Sequence, residues 1–140
     1  MKILFAADGS KHTKQALAFL VTHENLASDG GQVVVLNVQP PVPGRVKTML
    51  GSDNVSAYHV EESQKVTAPI ERFLTRHKIA FKTLATVGSP TAEILRVAKR
   101  EKAHLILMGT HGHGLLGRAV MGSVAQRVVA DAEIPVLLVK

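Results

Sequence analysis

The chain has 140 residues, a formal net charge of +6 and no cysteine, with 46% of its residues hydrophobic and 20% charged. That balance excludes a disordered chain, a disulfide framework and any thiolate metal site or cysteine nucleophile, and the length suits one domain over residues 1–140. No apolar run approaches the ~20 residues that cross a bilayer, and the run inside MKILFAADGSKH is too short for a signal-peptide core, so a cytoplasmic protein with no membrane partner is expected.

Lys2–Ala7, KILFAA, predicts a buried first strand. SKHTKQALAFLVTHENLA then carries Thr13, Ala16, Leu17 and Leu20 on one helical face, with Ser10 as the N-cap, and SDGG at 28–31 ends that helix. QVVVLNV, 32–38, is an unbroken Val/Leu run of the kind buried on both faces of a parallel sheet. The segment 39–54, QPPVPGRVKTMLGSDN, reads as a long loop on its prolines and glycines. A helix follows over 55–77, and Pro69 inside it should kink or break it. AFKTLATV, 80–87, alternates as a strand at a sheet edge does. Ser89 and Pro90 then form an N-cap and first helical residue. HLILMG, 104–109, is the fourth strand, Ser123–Ala132 the last helix and IPVLLVK, 134–140, the fifth strand. This order, βαβαβαβαβ, predicts an α/β fold with a doubly wound, five-stranded parallel sheet and helices on both faces.

Ligands of such sheets sit past the carboxyl ends of the strands. Asp8 follows the first strand, Val38 ends the second, and Gly109 ends the fourth. Should the first and fourth strands be neighbours, Asp8 and residues 109–123 face one another across a crevice. Here lies GTHGHGLLGRAVMGSVAQRVV, with glycines at 109, 112, 114, 117 and 122. It is not a P-loop, because no glycine is followed by Lys-Ser or Lys-Thr. A literal G-x-G-x-x-G occurs at Gly112, Gly114 and Gly117, but without the following βαβ unit and acidic residue that give that motif its meaning. The wider frame is Gly109-x2-Gly112-x9-Gly122-Ser123. Glycines let main-chain N–H groups approach an anion, and Gly122-Ser123 opens a helix whose first turn has free donors and a positive dipole end. From the residues alone this stretch is either a phosphate cradle or a flexible linker with a cap glycine.

The same spacing resembles the nucleotide-binding motif of the universal stress protein family. ILFAADGSKHTKQAL, VGSPTAEILRVAKREKAHLILMGTHGHG and GSVAQRVVADAEIPVLLVK resemble three blocks of that family in the same order, covering essentially the whole chain. The resemblance implies a Rossmann-like sheet in strand order 3-2-1-4-5, a member that binds ATP or AMP, with Mg²⁺ as a companion ion, and a homodimer through the C-terminal strand. It implies that Ala7 and Asp8 lie near the adenosine and that Val38 holds adenine by its main chain. It further implies that Met108 and Gly109 line the ribose side, and that Gly112, Gly122, Ser123 and Val124 hold the phosphates.

Some residues admit two readings. Asp8 suits a ribose hydroxyl or Mg²⁺, and equally a turn beside Gly9. His111 and His113 are a metal pair only with a third ligand, which the neighbourhood lacks, and otherwise are loop histidines. Arg118 reaches a phosphate or is solvated. Ser10 and His12 are close in sequence, but no third group marks a catalytic set, so a binding protein is favoured over an enzyme and catalytic residues are expected to be absent. The basic charge suits an anionic partner, but at 4% aromatic residues a single-stranded nucleic acid finds few stacking platforms and is disfavoured. Three functions stay open: an adenine-nucleotide-binding regulator, a slow ATPase or phosphotransferase, and a flavin or dinucleotide carrier.

Overall fold

Strands form where β-branched and leucine side chains run together, and helices where apolar residues recur every three or four positions. The computed structural model describes residues 1–27, 30–111 and 121–140. Its elements are β1 (Lys2–Ala6), α1 (Lys11–Thr22), a 3-10 turn (Glu24–Leu26), β2 (Gln32–Gln39), α2 (Gly44–Leu50), α3 (Ser52–Arg76), β3 (Phe81–Val87), α4 (Pro90–Arg100), β4 (Leu105–Gly109), α5 (Ser123–Asp131) and β5 (Val136–Val139). The sheet is wholly parallel in the order β3-β2-β1-β4-β5, as the resemblance implies. β1 is the hinge of the topology: Ile3 pairs with Val33 on one side and with Leu105 on the other.

Side chains alternate across the sheet, and each face has its own core. Ile3, Phe5, Val33, Val35 and Leu107 pack against Ala16, Leu17 and Leu20 of α1 and Ile70 and Leu74 of α3. Leu4, Val34, Leu36, Ile106 and Met108 pack on the other face against Ile94, Val97 and Ala98 of α4 and Ala125 and Val128 of α5. Both faces of the central strands are therefore dry, which is why their sequences show no alternation of polar and apolar residues. The predicted buried face of α1 (Thr13, Ala16, Leu17 and Leu20) is the observed one.

The structure departs from the expected elements in three places. Residues 39–54 are not a loop throughout, because Gly44–Leu50 form α2 and α3 begins at Ser52. α2 buries none of its residues, so it leaves no apolar periodicity to read. α1 stops at Thr22, short of SDGG, where the His23 ring stacks on Phe19 at 4.0 Å and its Nδ1 meets the Phe19 carbonyl at 2.9 Å. The same carbonyl also accepts from the His23 N–H at 3.1 Å, so the C-cap residue closes the last turn with both its main chain and its ring. α3 runs past Pro69 unbroken; burial of Ile70 and Leu74 on the sheet outweighs the lost hydrogen bond of the proline.

Candidate functional site

The site begins with the turn out of β1. Asp8-Gly9-Ser10 must reverse the chain into α1, and Gly9 adopts φ 79°, a left-handed conformation that glycine takes without strain. The Ser10 N–H donates to Asp8 Oδ1 at 2.9 Å, and the Thr13 hydroxyl donates to the same oxygen at 2.7 Å. Thr13 Oγ1 in turn accepts from the Asp8 N–H at 3.1 Å, and Ser10 Oγ caps the helix by accepting from the Thr13 N–H at 3.3 Å. Asp8 is therefore the turn residue that the sequence allowed, and it also lines the cavity described below.

β2 continues beyond the end of β1. The Leu36 carbonyl accepts from the Ala7 N–H, whereas the Gln39 carbonyl accepts from Gly88 beside β3. Main-chain groups alternate in direction along a strand, so the N–H and C=O of Val38 point to the side of β1, past its last residue. Asn37, 1% exposed, closes the end of β1 by donating from Nδ2 to the Ala7 carbonyl at 2.8 Å.

On the far side of β1, β4 ends at Gly109. A Cβ built there would lie 2.5 Å from His12 Cβ and 2.9 Å from the His12 carbonyl carbon, so α1 packs directly on this residue. The absence of a side chain at 109 is thus explained by helix packing, whatever ligand is bound. The next residue, Thr110, donates its N–H to Val139 of β5 and accepts at its carbonyl from the Gly122 N–H at 2.8 Å. That last bond ties the start of α5 to the end of β4. It also occupies the Gly122 amide, so the donors that α5 leaves over at its N-terminus are the N–H groups of Ser123, Val124 and Ala125. Gly122 is the N-cap, and among the described residues no side chain caps this helix.

These parts enclose one cavity of about 430 Å³. Ala7 and Asp8 line it from β1, Val38 from β2, Met108 and Gly109 from β4, and Gly122, Ser123 and Val124 from α5. Each described residue that the sequence singled out as nucleotide-binding lies in this wall. Gly112 lies outside the described residues, as do His113, Gly114, Gly117 and Arg118. The sequence reading missed Thr13, whose threonine on an otherwise apolar helix face was the available signal, and Pro90 and Ile94 of α4, for which no signal exists in the local pattern. His111 also lines the cavity; its ring lies 4.8 Å from that of His12, a pairing of residues far apart in the chain. Among the described residues no three His, Cys, Asp or Glu side chains come together as a metal-binding group.

A model of the universal stress protein family matches residues 1–140. The chain belongs to the universal stress protein family. A universal stress protein of Thermus aquaticus is 36% identical over 99% of this chain and 97% of its own length. The solved structure of protein MJ0577, a universal stress protein of Methanocaldococcus jannaschii, superposes with a TM-score of 0.86 at 28% identity, covering 99% of this chain and 94% of that one. A universal stress protein of Archaeoglobus fulgidus solved in complex with dAMP has a TM-score of 0.72 at 22% identity, covering 100% of this chain and 98% of that one, and so shares its fold. No helix among the described residues of this family member is long and apolar enough to cross a membrane.

Proposed function

We propose that the chain binds an adenine nucleotide, ATP or AMP, in the cavity between β1, β4 and α5, and acts as a nucleotide-dependent stress-response regulator in the cytoplasm rather than as a dedicated catalyst. The observation that carries this reading is the meeting, in one cavity, of outward-facing main-chain groups at Val38 and an uncapped helix start at Ser123. A strand end of that kind offers one donor and one acceptor to a base edge, and a helix N-terminus attracts phosphate. In this reading Val38 holds the base, and Ala7, Asp8, Met108 and Gly109 flank the ribose. Gly112, Gly122, Ser123 and Val124 close on the phosphates, with the N–H groups of Ser123 and Val124 and the Ser123 hydroxyl as donors. Mg²⁺ accompanies ATP near Asp8. The dAMP held by the Archaeoglobus fulgidus protein makes adenine nucleotides the first ligands to try.

Among the described residues β5 ends the sheet with no strand on its outer edge, and an apolar edge calls for a cover, which supports a homodimer through that strand. Slow ATP hydrolysis in the same cavity is the second reading. It requires a group that activates water, and Asp8 Oδ1 is already an acceptor for two hydrogen bonds within the α1 turn. Mass spectrometry of ligand released from the purified protein, followed by calorimetry with AMP and ATP, tests the binding function. Release of a flavin or dinucleotide, or no heat with either nucleotide, would refute it. ATP turnover well above background that falls in Asp8→Asn would establish the second reading instead.

A further inference from the structure

Two histidines far apart in the chain meet at the edge of the cavity. The rings of His12, in the first turn of α1, and His111, two residues beyond β4, lie 4.8 Å apart between centroids at an interplanar angle of 39°. His111 lines the cavity, and His12 backs it. The Thr110 carbonyl holds the Gly122 amide, which brings its neighbour His111 into the wall on the side where α5 starts. Histidine is the side chain whose charge ordinarily changes between about pH 5 and 8. The two rings differ in what a proton does to them.

His12 Nδ1 is buried and has no hydrogen-bond partner among the described residues. Charging that ring puts a proton on both nitrogens and so creates a buried, unpartnered N–H on a cation, which is costly. His111 Nδ1 instead meets Thr110 Oγ1 at 2.8 Å. A hydroxyl donates to a bare ring nitrogen and accepts from a protonated one, so this bond survives when His111 charges. Two charged rings this close repel each other, so the pair takes one proton and His111 carries it. The other charged groups on the elements that meet here are, among the described residues, Asp8, Lys11 and Lys14 at the start of α1, Arg127 one turn into α5 and Lys140 beyond β5. Groups of these types ordinarily keep their charge between about pH 5.5 and 8, so they set a constant field around the pair. We propose, building on the nucleotide reading above, that His111 couples phosphate binding in this cavity to a proton, so that affinity for a phosphorylated ligand rises as pH falls through the histidine range. The sign follows from charge: an imidazolium attracts the anion, and the bound anion in turn favours the proton. Acidification alone then raises the loaded fraction at a fixed ligand concentration.

The test is calorimetry with AMP, without added Mg²⁺, on the wild type and His111→Gln at about pH 8, 7 and 5.5. Glutamine keeps a polar partner for Thr110 and cannot charge. The ligand's own phosphate ionisation acts on both proteins alike, so the ratio of their affinities isolates His111. That ratio should grow from near one at the highest pH to roughly five- to tenfold at the lowest. Adenosine, which has no phosphate, should show no such growth. In the wild type the Cε1–H resonance of His111 should titrate at higher pH with AMP bound than without it. A ratio constant in pH, or growth that adenosine shares, overturns the proposal and leaves nucleotide binding standing. No heat with AMP at any pH refutes the nucleotide reading and this proposal with it. Should His111→Gln lack a native melting curve, the Cε1–H titration decides, and a His111 titration that AMP does not move overturns the proposal.

Discussion

Gly109→Ala tests the claim that α1 is seated directly on the end of β4. The new methyl group would lie 2.5 Å from His12 Cβ, 2.9 Å from its carbonyl carbon and 3.1 Å from its carbonyl oxygen. Two of these three atoms are main chain, so no side-chain rotation relieves the overlap, and α1 has to shift. Overpacking of this kind costs about 1–3 kcal/mol, and obstruction by main chain argues for the upper half of that range. Replacing glycine also stiffens the unfolded chain, which returns about 0.4–1 kcal/mol. The expected balance is a loss of about 1–2.5 kcal/mol, a fall in Tm of roughly 3–10 °C for a chain of this size. Urea unfolding should show a lower midpoint with an unchanged slope. Gly44→Ala is the matched control, since nothing lies within 4 Å of a Cβ there, and it should be neutral or stabilising. His12→Ala should not rescue Gly109→Ala, because it keeps the Cβ and the main chain that cause the overlap. An unchanged midpoint for Gly109→Ala, or rescue by His12→Ala, would refute the direct seating of α1 on β4.

Asp8→Ala removes the acceptor for Ser10 N–H and Thr13 Oγ1 and should cost about 1–2 kcal/mol by thermal melting, whereas Asp8→Asn keeps Oδ1 and should cost less. A nucleotide-binding defect in Asp8→Ala alone therefore reports the turn, while one shared by Asp8→Asn reports the charge. Gly122→Val should abolish AMP and ATP binding by calorimetry while far-ultraviolet circular dichroism stays native, because a branched side chain at this N-cap blocks the approach of phosphate to α5. The Arg96 guanidinium hydrogen-bonds Glu93 and holds its carboxyl below the usual range, so this pair stabilises the fold at neutral pH and the benefit is lost as pH falls through the lowered value. Glu93→Gln should accordingly lower Tm at pH 7 and match the wild type in acid, and a gap that persists at low pH counts against the pairing. Leu138→Pro removes a main-chain N–H on the outer side of β5, since Val139 and Pro135 are the residues turned to β4. It should dissociate a β5-paired dimer in sedimentation while the monomer stays folded, and an unchanged sedimentation profile for a dimeric protein would rule out that edge.

Local chemistry made much of this molecule readable. The buried stripe of α1 repeats every three to four residues because one face touches the sheet, and Ser10 is recognisable as a cap because few residue types bond a helix start. The glycine frame around 109–123 was visible as spacing, and its described members do converge on one cavity. What escaped is of two kinds. α2 contributes nothing to the core, so it has no periodic signal. The rest involves contacts between distant segments: His12 against Gly109, the Ser10 hydroxyl reaching the His111 carbonyl at 3.5 Å, and the Thr110 carbonyl taking the Gly122 amide. No window along the chain contains both partners of the first two, and the third follows from how the chain returns to β4, which spacing does not reveal.

The central pairing of Ile3 with Leu105 has a consequence for the order of events at synthesis. β1 and β2 can find each other early, but β4 cannot join β1 until most of the chain has left the ribosome. Long-range pairings of this kind slow folding. The cavity at the carboxyl ends of the strands needs the end of β4 and the first turn of α5, so it comes into being only with the finished sheet. A ligand bound there therefore stabilises the final state by mass action and gives no foothold to earlier intermediates. Its expected signature in refolding is a slower unfolding rate with the folding rate unchanged.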